Sequence, residues 1–85
     1  MNVRYFDEFK WVEENEGTAW FFRDESGEDV AEVVLFNLDS KMWRFIVNVP
    51  PRYCFNDTPP AGLVHNAAAA KKVCELILSY TILTR

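Results

Sequence analysis

The chain of 85 residues is poor in the groups that carry chemistry and has no long apolar run. It holds one histidine, His65, and two cysteines, Cys54 and Cys74, that lie twenty positions apart with no CxxC spacing. In a reducing compartment such thiols stay unpaired. A zinc site would require Cys54, His65 and Cys74 to converge, with Asp57 as a fourth ligand, and the spacing offers no ligand pair to start from. Cys74 falls on an apolar helix stripe and reads as a small buried hydrophobe. General acid–base work needs titratable groups held in a pocket, whereas the carboxylates here cluster in predicted turns and His65 stands beside a loop. No catalytic residue, metal or cofactor is therefore expected. No stretch reaches the roughly 18 apolar residues of a membrane span. The start Met1-Asn2-Val3-Arg4-Tyr5-Phe6-Asp7 lacks the form of a secretion signal, so a cytoplasmic location and no membrane partner are expected.

Basic side chains are scarce in one half of the chain. Residues 1–40 carry eleven acidic groups against Arg4, Lys10 and Arg23, a net of 3 − 11 = −8. Residues 41–85 carry Asp57 and Glu75 against six basic groups, a net of 6 − 2 = +4, and the halves sum to −4. Nucleic-acid binders show the reverse, a basic stripe. The acidic half should repel nucleic acid and attract basic protein surfaces. Its charges concentrate in Glu13, Glu14 and Glu16 and in Asp24, Glu25, Glu28 and Asp29, both within predicted turns.

Hydrophobic residues make up 49 % of the chain and aromatic residues 15 %, too apolar for a disordered segment. The length bounds it to one domain, residues 1–85. Val3, Tyr5, Phe9 and Trp11 share a parity and predict a strand over 3–12, with a short helix at the start of Arg4–Glu14 as the alternative. Residues 13–17 form a turn, with Gly17 available for positive φ. Residues 18–23 form a second strand, 30–38 a third and 41–49 a fourth, joined by short turns that favour an antiparallel meander. Pro50-Pro51 stops pairing, and 50–62 is expected to be a loop. From Leu63 the period changes: Leu63, Ala67, Ala70, Cys74, Ile77 and Thr81 follow helical spacing, with Lys71, Lys72, Glu75 and Ser79 on the other side. The expectation is an α+β domain, ββββα: a four-stranded antiparallel meander with one C-terminal helix, over 64–83, on one face.

The strands offer apolar residues of both parities, while one helix covers one face. Large apolar patches are rarely left bare, so a second cover is required: the proline-rich loop with Tyr53 and Phe55, a second copy of the chain (a homodimer), or another protein. Trp, Tyr and Arg dominate binding hot spots, and Tyr5, Trp11, Trp20, Trp43, Arg23 and Arg44 are candidates. If the second face is the docking patch, Trp11 and Phe21 belong to it, with the acidic turns 13–16 and 24–29 as its rim.

Small size, acidity and aromatic content together resemble the counter-defence proteins of phages and mobile elements, anti-CRISPR proteins among them, and the acidic immunity proteins that neutralise nuclease toxins. That resemblance implies a tight inhibitory complex with a basic, nucleic-acid-handling protein and carries no particular residue across. The segment from Gly62-Leu63-Val64-His65-Asn66 through Ala67-Ala68-Ala69-Ala70-Lys71-Lys72 to Leu78 resembles the last helix of double-stranded RNA-binding domains, where a strand precedes an alanine-rich helix. It implies sheet-plus-helix packing. Where that family sets basic residues against phosphates, this chain has Val64-His65-Asn66; the alternative readings are a small nucleic-acid-binding module of that type or a homo-oligomeric accessory protein.

Overall fold

Period-two alternation and turn-forming residues set the strands. The computed structural model describes residues 9–49 and 58–83. It contains β1 (Lys10–Glu14), β2 (Ala19–Arg23), β3 (Asp29–Asn37), β4 (Met42–Val47), β5 (Ala61–Val64) and α1 (Ala67–Leu83). The strands form one sheet in the order β1-β2-β3-β4-β5, every neighbouring pair antiparallel. The α+β class, the meander and the C-terminal helix follow the sequence reading. The strand count does not: there are five strands, because Ala61–Val64, assigned above to the loop and the helix start, extends along β4.

The physical reason lies in Gly62 and Asn66. A Cβ on Gly62 would sit 2.9 Å from Phe45 Cε2, so this glycine lets the β5 backbone lie against a core ring that any side chain would displace. Asn66 then starts the helix: its Oδ1 accepts from the Ala69 amide at 2.7 Å and its carbonyl accepts from the Ala70 amide at 3.2 Å. The helix consequently begins at Ala67, three residues later than expected, and Leu63 belongs to the sheet. Of the first predicted strand, residues 3–8 lie outside the described residues, as do the predicted loop residues 50–57 with Tyr53, Cys54 and Phe55.

Register assigns the faces. Trp11, Phe22, Ala31 and Val47 stand opposite one another across four strands, as do Glu13, Trp20, Val33, Phe45 and Gly62 across five. These two rows face α1, where Ala70, Cys74 and Leu78 complete a buried cluster with Phe22, Ala31, Val33, Phe45 and Val47. A helix about 10 Å across covers two to three strands spaced about 4.8 Å apart, and α1 lies over β3, β4 and β5. Large rings fill the wedge beside it. Trp11 stacks on Phe22 at 4.6 Å between centroids, and Phe9 tilts against Phe22 at 5.4 Å.

Two expectations are corrected by this wedge. Trp11 lies on the helix-covered face, with its Nε1–H donating to Glu75 Oε2 at 3.0 Å. Lys71 and Glu75 do not form a solvated outer stripe. The Lys71 ammonium lies 3.1 Å from the Trp20 ring centroid and 5.7 Å from that of Trp11, a cation–π contact that closes the gap between helix and sheet. Burial lowers the Lys71 pKa from its usual value, opposed by the charges of Glu13 and Glu75.

Candidate protein-binding surface

Alternate residues of the same strands build the opposite face. Its rows are Val12–Phe21–Glu32–Ile46–Ala61 and Glu14–Ala19–Val34–Arg44–Leu63, with Lys10 and Arg23 paired at one corner. Among the described elements none lies on this face. Phe21, Val34 and Ile46 are half-buried, while Arg44 and Leu63 are exposed. Arg23 reaches to both neighbouring strands: its Nε donates to Asp29 Oδ1 of β3 at 2.8 Å and its Nη2 lies 3.9 Å from Glu14 Oε1 of β1. The hydrogen bond to Asp29, followed by that group's charge, raises the guanidinium pKa further. A depression of about 260 Å³ lined by Lys10, Val12, Arg23, Asp24 and Glu25 occupies this corner.

Turn chemistry builds the two ends of the sheet. The β1–β2 turn places Asn15, Glu16 and Gly17 at φ of 53°, 56° and 87°, and Thr18 Oγ1 donates to the Asn15 carbonyl at 2.7 Å. At the same end runs the β3–β4 turn, where the Ser40 amide donates to Asn37 Oδ1 at 2.9 Å and Lys41 has φ 56°. The Leu35 amide donates to the Thr18 carbonyl at 2.8 Å and ties the two hairpins together. A register shift between Leu35 and Asn37 breaks the alternation here, and Phe36 and Leu38 emerge 57 % and 75 % exposed. This end therefore combines two bare apolar side chains with the exposed carboxylates of Glu14, Glu16 and Asp39.

The other end carries the Asp24–Glu28 loop. Asp24 Oδ1 accepts from the Ser26 amide at 2.9 Å, the Ser26 hydroxyl at 2.6 Å and the Glu28 amide at 3.0 Å, and Gly27 supplies φ 89°. The Ser26 hydroxyl, then the Glu28 amide, hold the Asp24 carboxyl below its usual range.

The nine residues singled out above are thus distributed over four places. Glu14 and Glu16 share the first end, and Glu13 beside them projects on the helix face opposite Trp20. Asp24, Glu25, Glu28 and Asp29 share the second end, one strand length away, about 17 Å for five residues. Phe21 lies on the open face and Trp11 on the covered one, so these residues do not converge on a single rimmed patch. Sequence reasoning missed Phe36 and Leu38 as the most prominent exposed pair at an acidic end. The signal was their position directly before the Asp39-Ser40 turn, where a strand loses its partner. Glu32 was missed too: a lone acid in an apolar strand is its only signature.

His65 is exposed just ahead of α1, and Cys74 is fully buried beneath it, with burial pushing the thiol pKa up to about 12. Cys54 and Asp57 lie outside the described residues, among which no three of His, Cys, Asp and Glu cluster as metal ligands. No helix among the described residues is long and apolar enough to cross a membrane. Comparison of the chain with protein-family models, curated proteins and solved structures finds no match.

Proposed function

We propose that this chain is a non-catalytic binding protein that docks on a basic surface of a nucleic-acid-handling protein and blocks it, through the sheet end formed by the β1–β2 and β3–β4 turns. The observation that carries this reading is the exposure of Phe36 and Leu38, 57 % and 75 %, at the same end as Glu14, Glu16 and Asp39. Carboxylates on projecting turns raise the association rate onto Lys- and Arg-rich grooves. A groove built for phosphates accepts them because its donors respond to negative charge of either kind. The adjoining Phe and Leu supply apolar area that a polyanion lacks, which lengthens the lifetime of the complex.

The test is capture from lysate on immobilised chain, in the presence and absence of duplex and single-stranded oligonucleotides. Three variants run in parallel: E14K/E16K/D39K, F36A/L38A, and D24K/E25K/E28K at the far end. The captured protein should be basic and displaced by oligonucleotide. The first variant should lose capture, the second should release faster, and the third should retain it. Capture that survives both E14K/E16K/D39K and F36A/L38A defeats the assignment of this end. Direct, salt-sensitive binding of the oligonucleotides by the chain itself would replace it with the nucleic-acid-binding alternative.

A further inference from the structure

We propose that the open face of the sheet is a self-association surface, and that its occupant is a second copy of this chain. Two charged side chains on this face have no partner among the described residues. Glu32 on β3 is half-buried in an otherwise apolar row, between Phe21 on β2 and Ile46 on β4. Arg44 on β4 stands opposite Val34, one diagonal step from Glu32 on the same face. Among the described residues the ion pairs of this face are those of Arg23 with Asp29 and Glu14, and neither the Glu32 nor the Arg44 side chain makes an ion pair or a hydrogen bond. A carboxylate set among apolar side chains is costly unless a cation meets it.

Charge balance identifies the partner. The strand residues of the face are Lys10, Arg23 and Arg44 against Glu14, Asp29 and Glu32, three of each sign, with Asp24 and Glu25 at one corner, so the centre of the face has no net attraction for a basic protein or for a polyanion. It is complementary to itself. When two such faces meet about a two-fold axis lying between them, midway between Glu32 and Arg44, each Glu32 faces Arg44 of the other copy. Val12, Phe21, Val34 and Ile46 then lose water against their own counterparts, as in aligned sheets about 10 Å apart. Five strands spaced about 4.8 Å apart, each about 17–20 Å long, give a flat footprint of about 400–500 Å² per copy. That is below the roughly 800 Å² per partner of a standard interface, so the dimer belongs to the weak, concentration-dependent class.

Sedimentation equilibrium from about 5 to about 500 µM, the range a small interface calls for, tests this on the full chain, with circular dichroism confirming that each variant is folded. The wild type should pass from monomer to dimer over that range. E32R and R44E should each weaken dimerisation at least tenfold, and E32R/R44E together should recover it, because the swapped charges meet again across the axis. E32Q, which keeps shape and removes only the charge, should weaken dimerisation in the same direction should E32R fail to fold. E16K/D39K, which changes no residue of this face, should dimerise as the wild type does, which separates this inference from the proposed docking end. A wild type that stays monomeric throughout, or a double variant no better than the singles, overturns it.

Discussion

At the scale of single residues, the acidic turns are built as much as they are solvated. Asp24 collects three hydrogen bonds on one carboxylate oxygen, and these hold the Asp24–Glu28 loop in shape. A carboxyl held below its unfolded pKa contributes stability that is complete above the unfolded value of about 3.9. That contribution is lost as pH falls through the lower folded value, since in that window the unfolded chain binds more protons. D24N should therefore flatten the fall in melting temperature between about pH 5 and pH 2 relative to the wild type. Equal slopes for the two proteins would mean that the loop does not use the charge. The two charged turns were legible in the sequence because Gly17 and Gly27 mark positive φ. What was not legible is that Glu16 and Lys41 adopt φ near 56° without being glycine, since nothing in a glutamate or a lysine announces a conformation it adopts at a cost.

At the scale of elements, β5 and α1 show where periodicity is enough and where it misleads. Of the expected helical stripe, Ala70 and Cys74 are buried and Ala67 and Ile77 half-buried, with Leu78 buried beside them. Leu63 continues that spacing by coincidence, because four residues of strand cannot be told from a helix start by period alone. What separates them is contact. Gly62 lies against Phe45, and that pairing is visible only once β4 and β5 are side by side. Gly62→Ala should push the Phe45 ring out of its place in the core and cost about 1–3 kcal/mol, the usual penalty for overfilling a well-packed site. Chemical denaturation of the variant measures it, and an unchanged midpoint would show that the ring has room to move. The wedge of Trp11, Trp20, Lys71 and Glu75 escaped sequence reading for a related reason. A lysine at an outward-looking helical position turns inward when the helix is narrower than the sheet beneath it.

At the scale of the whole molecule, stability is concentrated on one side. Cys74 is fully buried at the centre of the helix–sheet contact, and burial pushes its pKa to about 12. The thiolate is the reactive form, so labelling requires α1 to leave the sheet. In a C54S chain, Cys74 should react with a thiol reagent at a rate set by global unfolding, rising in parallel with denaturant-induced opening. Fast labelling of the native protein would show instead that the helix detaches locally. Sequence reading captured the helix's share of this side, Ala70 and Cys74 on the apolar stripe, while it placed Trp11 on the other face and missed the wedge with Lys71 and Glu75. It captured the second surface only as an excess of apolar residues, because which parity the helix covers depends on the register among five strands.

The alternation that divides the strands also divides the effects of mutation. Within Trp20–Phe22, Ala31–Val34 and Trp43–Val47 a side chain on the helix-covered face alternates with one on the opposite face. Point substitutions can thus revise recognition while leaving the interior intact, and the reverse. A deletion of one residue within a strand does neither. It exchanges the two sets beyond that point, sending Phe45 or Val33 into water and Arg44 or Glu32 beneath the helix. This small protein should tolerate wide drift in letters while rejecting almost any change in strand length.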